Sequence, residues 1–203
     1  MYEGRLFVVS GPSGAGKGTI CKMLVEQRKD IAVSVSMTTR KPRTGEIEGK
    51  SYFFVSRDEF KDKIKEDEFL EYAEVFGNYY GTPKKAVFDT LKKGINVILE
   101  IDTQGALDVK KHHPEGVFIF ILPPSVSELK KRLKKRGTDT DEAITFRMGE
   151  AKREISLIGE YDYCVINDDL NEAFNKANAI ITAEHSKVTQ AIYEKIKEFK
   201  EEL

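Results

Sequence analysis

Short apolar runs rich in β-branched and aromatic residues alternate with stretches of helical spacing along most of the chain. Residues 6–9, 31–35, 95–99 (with Ile101 beyond), 117–122 and 163–166 read as buried strands, since each is a brief apolar run bounded by turn formers or polar residues. Residues 17–27 place Ile20, Met23, Leu24 and Gln27 at helical spacing, and residues 125–136, 141–158 and 170–182 read as further helices. Strands without a polar face, alternating with helices, predict an α/β fold: a three-layer domain with a mainly parallel central sheet covered on both sides.

Residues 36–90 break this rhythm. They hold a basic turn, several tyrosines and the short run Ser51 to Val55. Ser56 followed by Glu59 is a capping-box pattern, opening a helix through Ile64. This stretch is predicted to be an inserted α+β lobe. The tail, 185–203, reads as a charged amphipathic helix with Val188, Ile192, Ile196 and Phe199 on one stripe. At 203 residues the chain fits one domain carrying an insertion.

The formal net charge is −1, which argues against bulk electrostatic binding of nucleic acid yet permits a local basic pocket for a small phosphate ligand. No apolar run approaches the roughly 20 residues of a membrane span, and the first residues lack the pattern of a signal peptide. Cys21 and Cys164 are too few for a disulfide framework or a zinc site and read as two buried thiols in a cytoplasmic protein. The basic run 130–136 reads as a solvated helix face over Leu129 and Leu133, in which only Arg136 need be functional. His112 and His113, before Pro114, read as a solvated loop rather than a metal site.

The chemistry begins after the first strand. Gly11-Pro12-Ser13-Gly14-Ala15-Gly16-Lys17 has the spacing of a phosphate-binding loop. Glycines let backbone N–H groups turn toward a phosphate, the helix N-terminus adds partial positive charge, and Lys17 reaches the outer phosphates. Gly18 stands where the motif expects Ser or Thr, and Thr19 is the nearest hydroxyl for Mg²⁺. Such a loop alone does not choose among kinase, GTPase and ATPase. In the inserted lobe, Arg40 and Arg43 flank Lys41-Pro42, a turn that holds two guanidiniums near one anion. Tyr52, Tyr79 and Tyr80 offer phenolic donors or aromatic faces. Glu71 sits among apolar residues, where an ionised carboxylate could accept from both the ring N–H and the amino group of guanine. Each of these, taken singly, also fits a surface charge, strand packing or an exposed acid.

Together and in order, residues 36–46, 49–54, 71, 77–82, 99–105, 136–138 and 165–169, following the phosphate loop, resemble the guanylate kinase family over residues 5–183. The resemblance implies a nucleoside-monophosphate-kinase fold, with a domain over 4–184, a GMP-binding lobe at 36–90, a lid at 126–158 and a separate C-terminal helix. It implies transfer of the ATP γ-phosphoryl group to GMP, serving purine nucleotide recycling. Arg40, Arg43, Tyr52 and Tyr80 would grip the GMP phosphate; Ser36, Glu71, Thr82 and Asp102 would contact guanine. Residues 11–19 would cradle ATP, Asn167 and Asp168 would lie beside adenine, and Lys17, Arg136 and Arg147 would offset charge on the moving phosphoryl group. Thr19 and Glu100 would face Mg²⁺, Glu100 through water where relatives carry a shorter Asp. The implied partners are ATP and GMP, with no nucleic acid or membrane, and a homo-oligomer is compatible with the sequence. A non-catalytic binding module of the same fold would need none of Lys17, Glu100, Arg136 and Arg147.

Overall fold

The computed structural model describes residues 4–75, 77–135, 141–188 and 190–201. In chain order it contains β1 (Leu6–Ser10), α1 (Lys17–Gln27), β2 (Ile31–Val33), β3 (Met37–Thr38), β4 (Phe53–Phe54), α2 (Arg57–Lys65), β5 (Phe69–Val75), β6 (Asn78–Pro83) and α3 (Lys84–Leu91). There follow β7 (Asn96–Glu100), α4 (Thr103–His112), β8 (Val117–Leu122), α5 (Val126–Lys135), α6 (Asp141–Ser156), a 3₁₀ turn at Ile158–Glu160, β9 (Tyr163–Ile166), α7 (Leu170–Glu184) and α8 (Gln190–Glu201).

The five expected strands form one parallel sheet in the order β2-β7-β1-β8-β9. β1 is buried along its whole length, and its two faces feed different layers. Phe7 and Val9 pack with Ile98, Ile119 and Ile121 under α1 and α7. Leu6 and Val8 pack with Val97, Leu99 and Phe118 against Val87 of α3 and Ala106 and Val109 of α4. A strand that buries both faces has no amphipathic signal, which is why these segments read as continuous apolar runs.

The inserted stretch builds a second sheet, β4-β3-β6-β5, in which β5 and β6 are antiparallel neighbours. Phe60 of α2 stacks between Phe69 and Tyr79 and fixes that helix to the sheet. Ser56 caps α2 as expected, its hydroxyl accepting from the Glu59 N–H at 3.1 Å.

Several expectations need correction. α4 was not foreseen, and His112 belongs to its last turn rather than to a loop. Cys21 is buried, but Cys164 is exposed. The C-terminal helix spans Gln190–Glu201, and residues 185–188, expected in it, are turn and coil after α7. There Glu184 is nearly fully buried, accepting from the Tyr163 hydroxyl and pairing with Lys187 at 2.6 Å and Arg5 at 3.5 Å.

Candidate active site

β1 and β7 run side by side with Val9 opposite Glu100, so their carboxyl ends open into the same crevice. Open α/β sheets place ligand sites at such strand ends. From β1 the chain enters the glycine loop, where Gly11, Gly14 and Gly16 hold φ values of 137°, 93° and 94°. Only glycine tolerates that left-handed region freely. α1 then begins at Lys17 with no side chain capping its first amides and no acid in its first turn. Those N–H groups remain available to an anion.

Lys17 folds back across the loop, and its ammonium donates to the Gly11 carbonyl at 2.5 Å and the Pro12 carbonyl at 3.3 Å. Burial lowers its pKa, while the carboxylates of Glu100, Glu154 and Asp102 oppose that fall. The loop is held from behind by Asn167. The Asn167 amide donates to the Ala15 carbonyl at 2.8 Å, and its own backbone carbonyl accepts from Arg132 of α5 at 3.1 Å. Arg147 of α6 reaches the loop from the other side, donating to the Ser13 hydroxyl at 3.0 Å.

The loop forms one end of a cavity of about 620 Å³. Its walls include Lys17, Gly18, Thr19, Glu100 and Asp102 at the sheet, and Ser36, Tyr52, Glu71 and Tyr80 at the second sheet. At this far end Glu71 is 7% exposed, and its Oε1 accepts from the Thr82 hydroxyl at 2.6 Å. Burial pushes the Glu71 carboxyl up to about 7, partly offset by that hydroxyl. The carboxyl therefore titrates near neutral pH. Its other oxygen lies 2.8 Å from where a Cβ on Gly105 would stand. Asp102 caps α4, accepting from the Gly105 N–H at 2.9 Å.

The arginine turn stands beside this end, outside the cavity walls. Arg40 lies in the grip of Glu46, with Nη1 and Nη2 donating to its two oxygens at 3.0 and 2.8 Å. Glu46 also accepts from the Arg43 backbone N–H at 2.7 Å. The Arg40 guanidinium sits 5.4 Å from the Tyr52 ring centre, and Tyr52 meets Tyr80 edge to face.

Arg136 lies outside the described residues. Asp168 is exposed, next to the buried Asn167. Sequence reasoning missed Glu154, Glu46 and Arg132. Glu154, on α6, lines the main cavity and a neighbouring one of about 510 Å³ that Arg147 also lines. Burial lifts its carboxyl to about 7, against the pull of Lys17. A seven-residue spacing from Arg147 puts both on one helix face, a signal that was available.

The guanylate kinase family model matches residues 3–184. The chain belongs to the guanylate kinase family. It is 56% identical over 198 residues to the guanylate kinase of Caldanaerobacter subterraneus subsp. tengcongensis, covering 97% of this chain and 96% of that one. It is 58% identical over 186 residues to the guanylate kinase of Clostridium acetobutylicum, covering 92% and 88%. The fold is similar to the crystal structure of guanylate kinase from Anaplasma phagocytophilum, with a TM-score of 0.76 and 39% identity over 92% of this chain and 89% of that one.

Proposed function

We infer that the chain carries the activity of its family, transfer of the ATP γ-phosphoryl group to GMP with release of ADP and GDP. The observation that carries this reading is one cavity with a phosphate loop at one end and the buried Glu71–Thr82 pair at the other. Uncapped amides and Lys17 suit a polyphosphate. A carboxylate beside Ser36, Thr82 and Asp102 suits the N1–H and N2–H₂ donors of guanine. Adenine has no donor at N1, so it would leave Glu71 facing a lone pair.

In this reading residues 36–90 form the GMP lobe and residues 126–158 the lid, within a domain spanning 4–184. Arg40 and Arg43, with the Tyr52 and Tyr80 hydroxyls, take the GMP phosphate; burial keeps the Tyr52 phenol protonated and donating. Lys17 leaves its two loop carbonyls for the ATP phosphates, and Arg147 and Arg136 come down from the lid. The protein forms no covalent intermediate. It aligns donor and acceptor and meets the developing charge with fixed cations, while closure keeps water from competing as acceptor. Asn167 acts through the phosphate loop, and in this reading the exposed Asp168 beside it contacts adenine.

Mg²⁺ fits this site only together with a nucleotide. Among the described residues no cluster of three or more His, Cys, Asp or Glu could hold a metal. Glu100 and Thr19 both face the cavity beside the loop, a hard-oxygen set that suits Mg²⁺ when phosphate oxygens and water complete the shell. Bound there, the ion would supply charge neutralisation for the phosphates. A cytoplasmic location accords with the free thiols of Cys21 and Cys164, and no described helix is long and apolar enough to cross a membrane. Exposed Tyr193, Ile196 and Phe199 on α8 favour a homo-oligomer.

The test is phosphoryl transfer from ATP to GMP, AMP, CMP and UMP in a coupled assay. GMP is expected to exceed AMP by about 10⁴ in kcat/KM. Equal use of AMP and GMP would overturn the base assignment, and no transfer at all would overturn the activity.

A further inference from the structure

A departure from the phosphate-loop pattern and a long acid on the neighbouring strand meet in space. Gly18 occupies the position where a Ser or Thr hydroxyl is expected, and Glu100 is a long acid at the tip of the neighbouring strand. A Cβ built on Gly18 would lie 3.2 Å from Oε1 of Glu100 and 3.4 Å from Oε2. Both carboxylate oxygens therefore rest over the bare backbone of the first turn of α1. No strain explains the glycine, since its φ is not in the left-handed region, unlike Gly11, Gly14 and Gly16. A glycine inside a helix costs about 1 kcal/mol relative to Ala. The space it leaves is filled by the acid.

We propose that Gly18 and Glu100 are one matched unit, in which the missing side chain at 18 admits the carboxylate of 100 to the place a loop hydroxyl would otherwise take. Glu100 thereby supplies the hard oxygen beside Lys17 and the phosphate-binding amides that the motif takes from its Ser or Thr. Gly18 is a positioning residue: it acts by deciding where Glu100 lies. Shortening the acid by one methylene withdraws its carboxylate by about 1.5 Å and leaves the place empty. Adding a hydroxymethyl at 18 pushes the intact Glu100 aside. Making both changes exchanges one oxygen donor for the other.

The inference deepens the proposed Mg²⁺–nucleotide reading and rests on it. Four full-length proteins test it: wild type, Gly18→Ser, Glu100→Asp and the double variant. The dissociation constant of a non-hydrolysable ATP analogue is measured by calorimetry with and without Mg²⁺. Glu100→Asp alone leaves the place without a donor and is expected to cut the gain in affinity given by Mg²⁺ about tenfold, whereas Gly18→Ser, which brings its own hydroxyl while displacing Glu100, and the double variant are expected to stay within about threefold of wild type. A double loss equal to the product of the two single losses would overturn the pairing and leave the metal reading standing. If Mg²⁺ gives wild type no gain, both fail.

Thermal melts without nucleotide or metal give a second readout. Gly18→Ala should raise the melting temperature more in the Glu100→Asp background than in wild type. The gain in helix propensity is the same in both, but only in wild type does the new Cβ meet the carboxylate. Equal increments would show that the two residues do not touch and would overturn the inference.

Discussion

The side-chain amide of Asn167 donates to the carbonyl of Ala15 across 2.8 Å, and it fills the space beside the Cα of Gly16. Asn167, which the family resemblance puts beside adenine, is also a strut behind the phosphate loop. Arg132 extends the strut to α5 by donating to the Asn167 carbonyl.

Asn167→Ala is expected to strand the buried Ala15 carbonyl, at a cost of about 1–3 kcal/mol in stability. With the loop loosened, KM for ATP should rise more than KM for GMP. Melting temperature and the two KM values check this; an unchanged KM for ATP would leave the strut without a role in binding.

Glu71 gives the protein a pH dependence with a defined sign. Its folded pKa, about 7, lies above the usual carboxyl value of 4.5. The folded state therefore binds the proton more tightly than the unfolded one. The stability this confers is full below about 4.5 and is lost as pH rises through about 7, an effect on the order of 3 kcal/mol. Glu71→Gln removes the dependence. The ligand-free variant should gain melting temperature relative to wild type between pH 5 and pH 8.

The same substitution should abolish most GMP activity and narrow the GMP/AMP ratio, while ATP binding stays roughly intact. Guanine donors favour the ionised carboxylate, so GMP binding at pH 6.5 should release a proton from wild type. Calorimetry in two buffers of different ionisation enthalpy measures it. The proton released from wild type beyond that from the Gln variant belongs to Glu71, since the GMP phosphate titrates alike in both.

Glu46→Ala frees Arg40 from its two-pronged partner and the Arg43 backbone from its anchor. KM for GMP should rise about tenfold or more, with kcat changed far less, because the lost order concerns binding of the acceptor phosphate. Arg43→Ala should act in the same direction. A fall in ATP affinity instead would place this turn at the wrong substrate.

Lys17→Ala should lower kcat/KM by about 3–4 kcal/mol of transition-state stabilisation, the scale for losing one charge-stabilising donor in a dry site. A folded variant with near-normal turnover would overturn the role given to the loop.

The β1–loop–α1 unit was legible because its signals are local: an apolar run, fixed glycine spacing and helical periodicity. α4 was not, because Gly105 weakens its helical pattern for a reason that lies elsewhere, at Glu71. The arginine turn was visible, but Glu46, which orders it, looked like one more surface acid. Glu154 was hidden in a helix crowded with charge. Its burial arises from where α6 lies over the loop, a relation no window of sequence contains.

Gly105 never lines the cavity, yet the carboxylate it accommodates belongs to a strand 34 positions earlier in the chain. In a saturation library scored for growth or turnover, position 105 should therefore tolerate as few substitutions as 71 itself. Its intolerance would be conditional: an alanine there should be accepted once the acid at 71 is shortened, so the two positions would vary together while a map of substrate contacts shows only one.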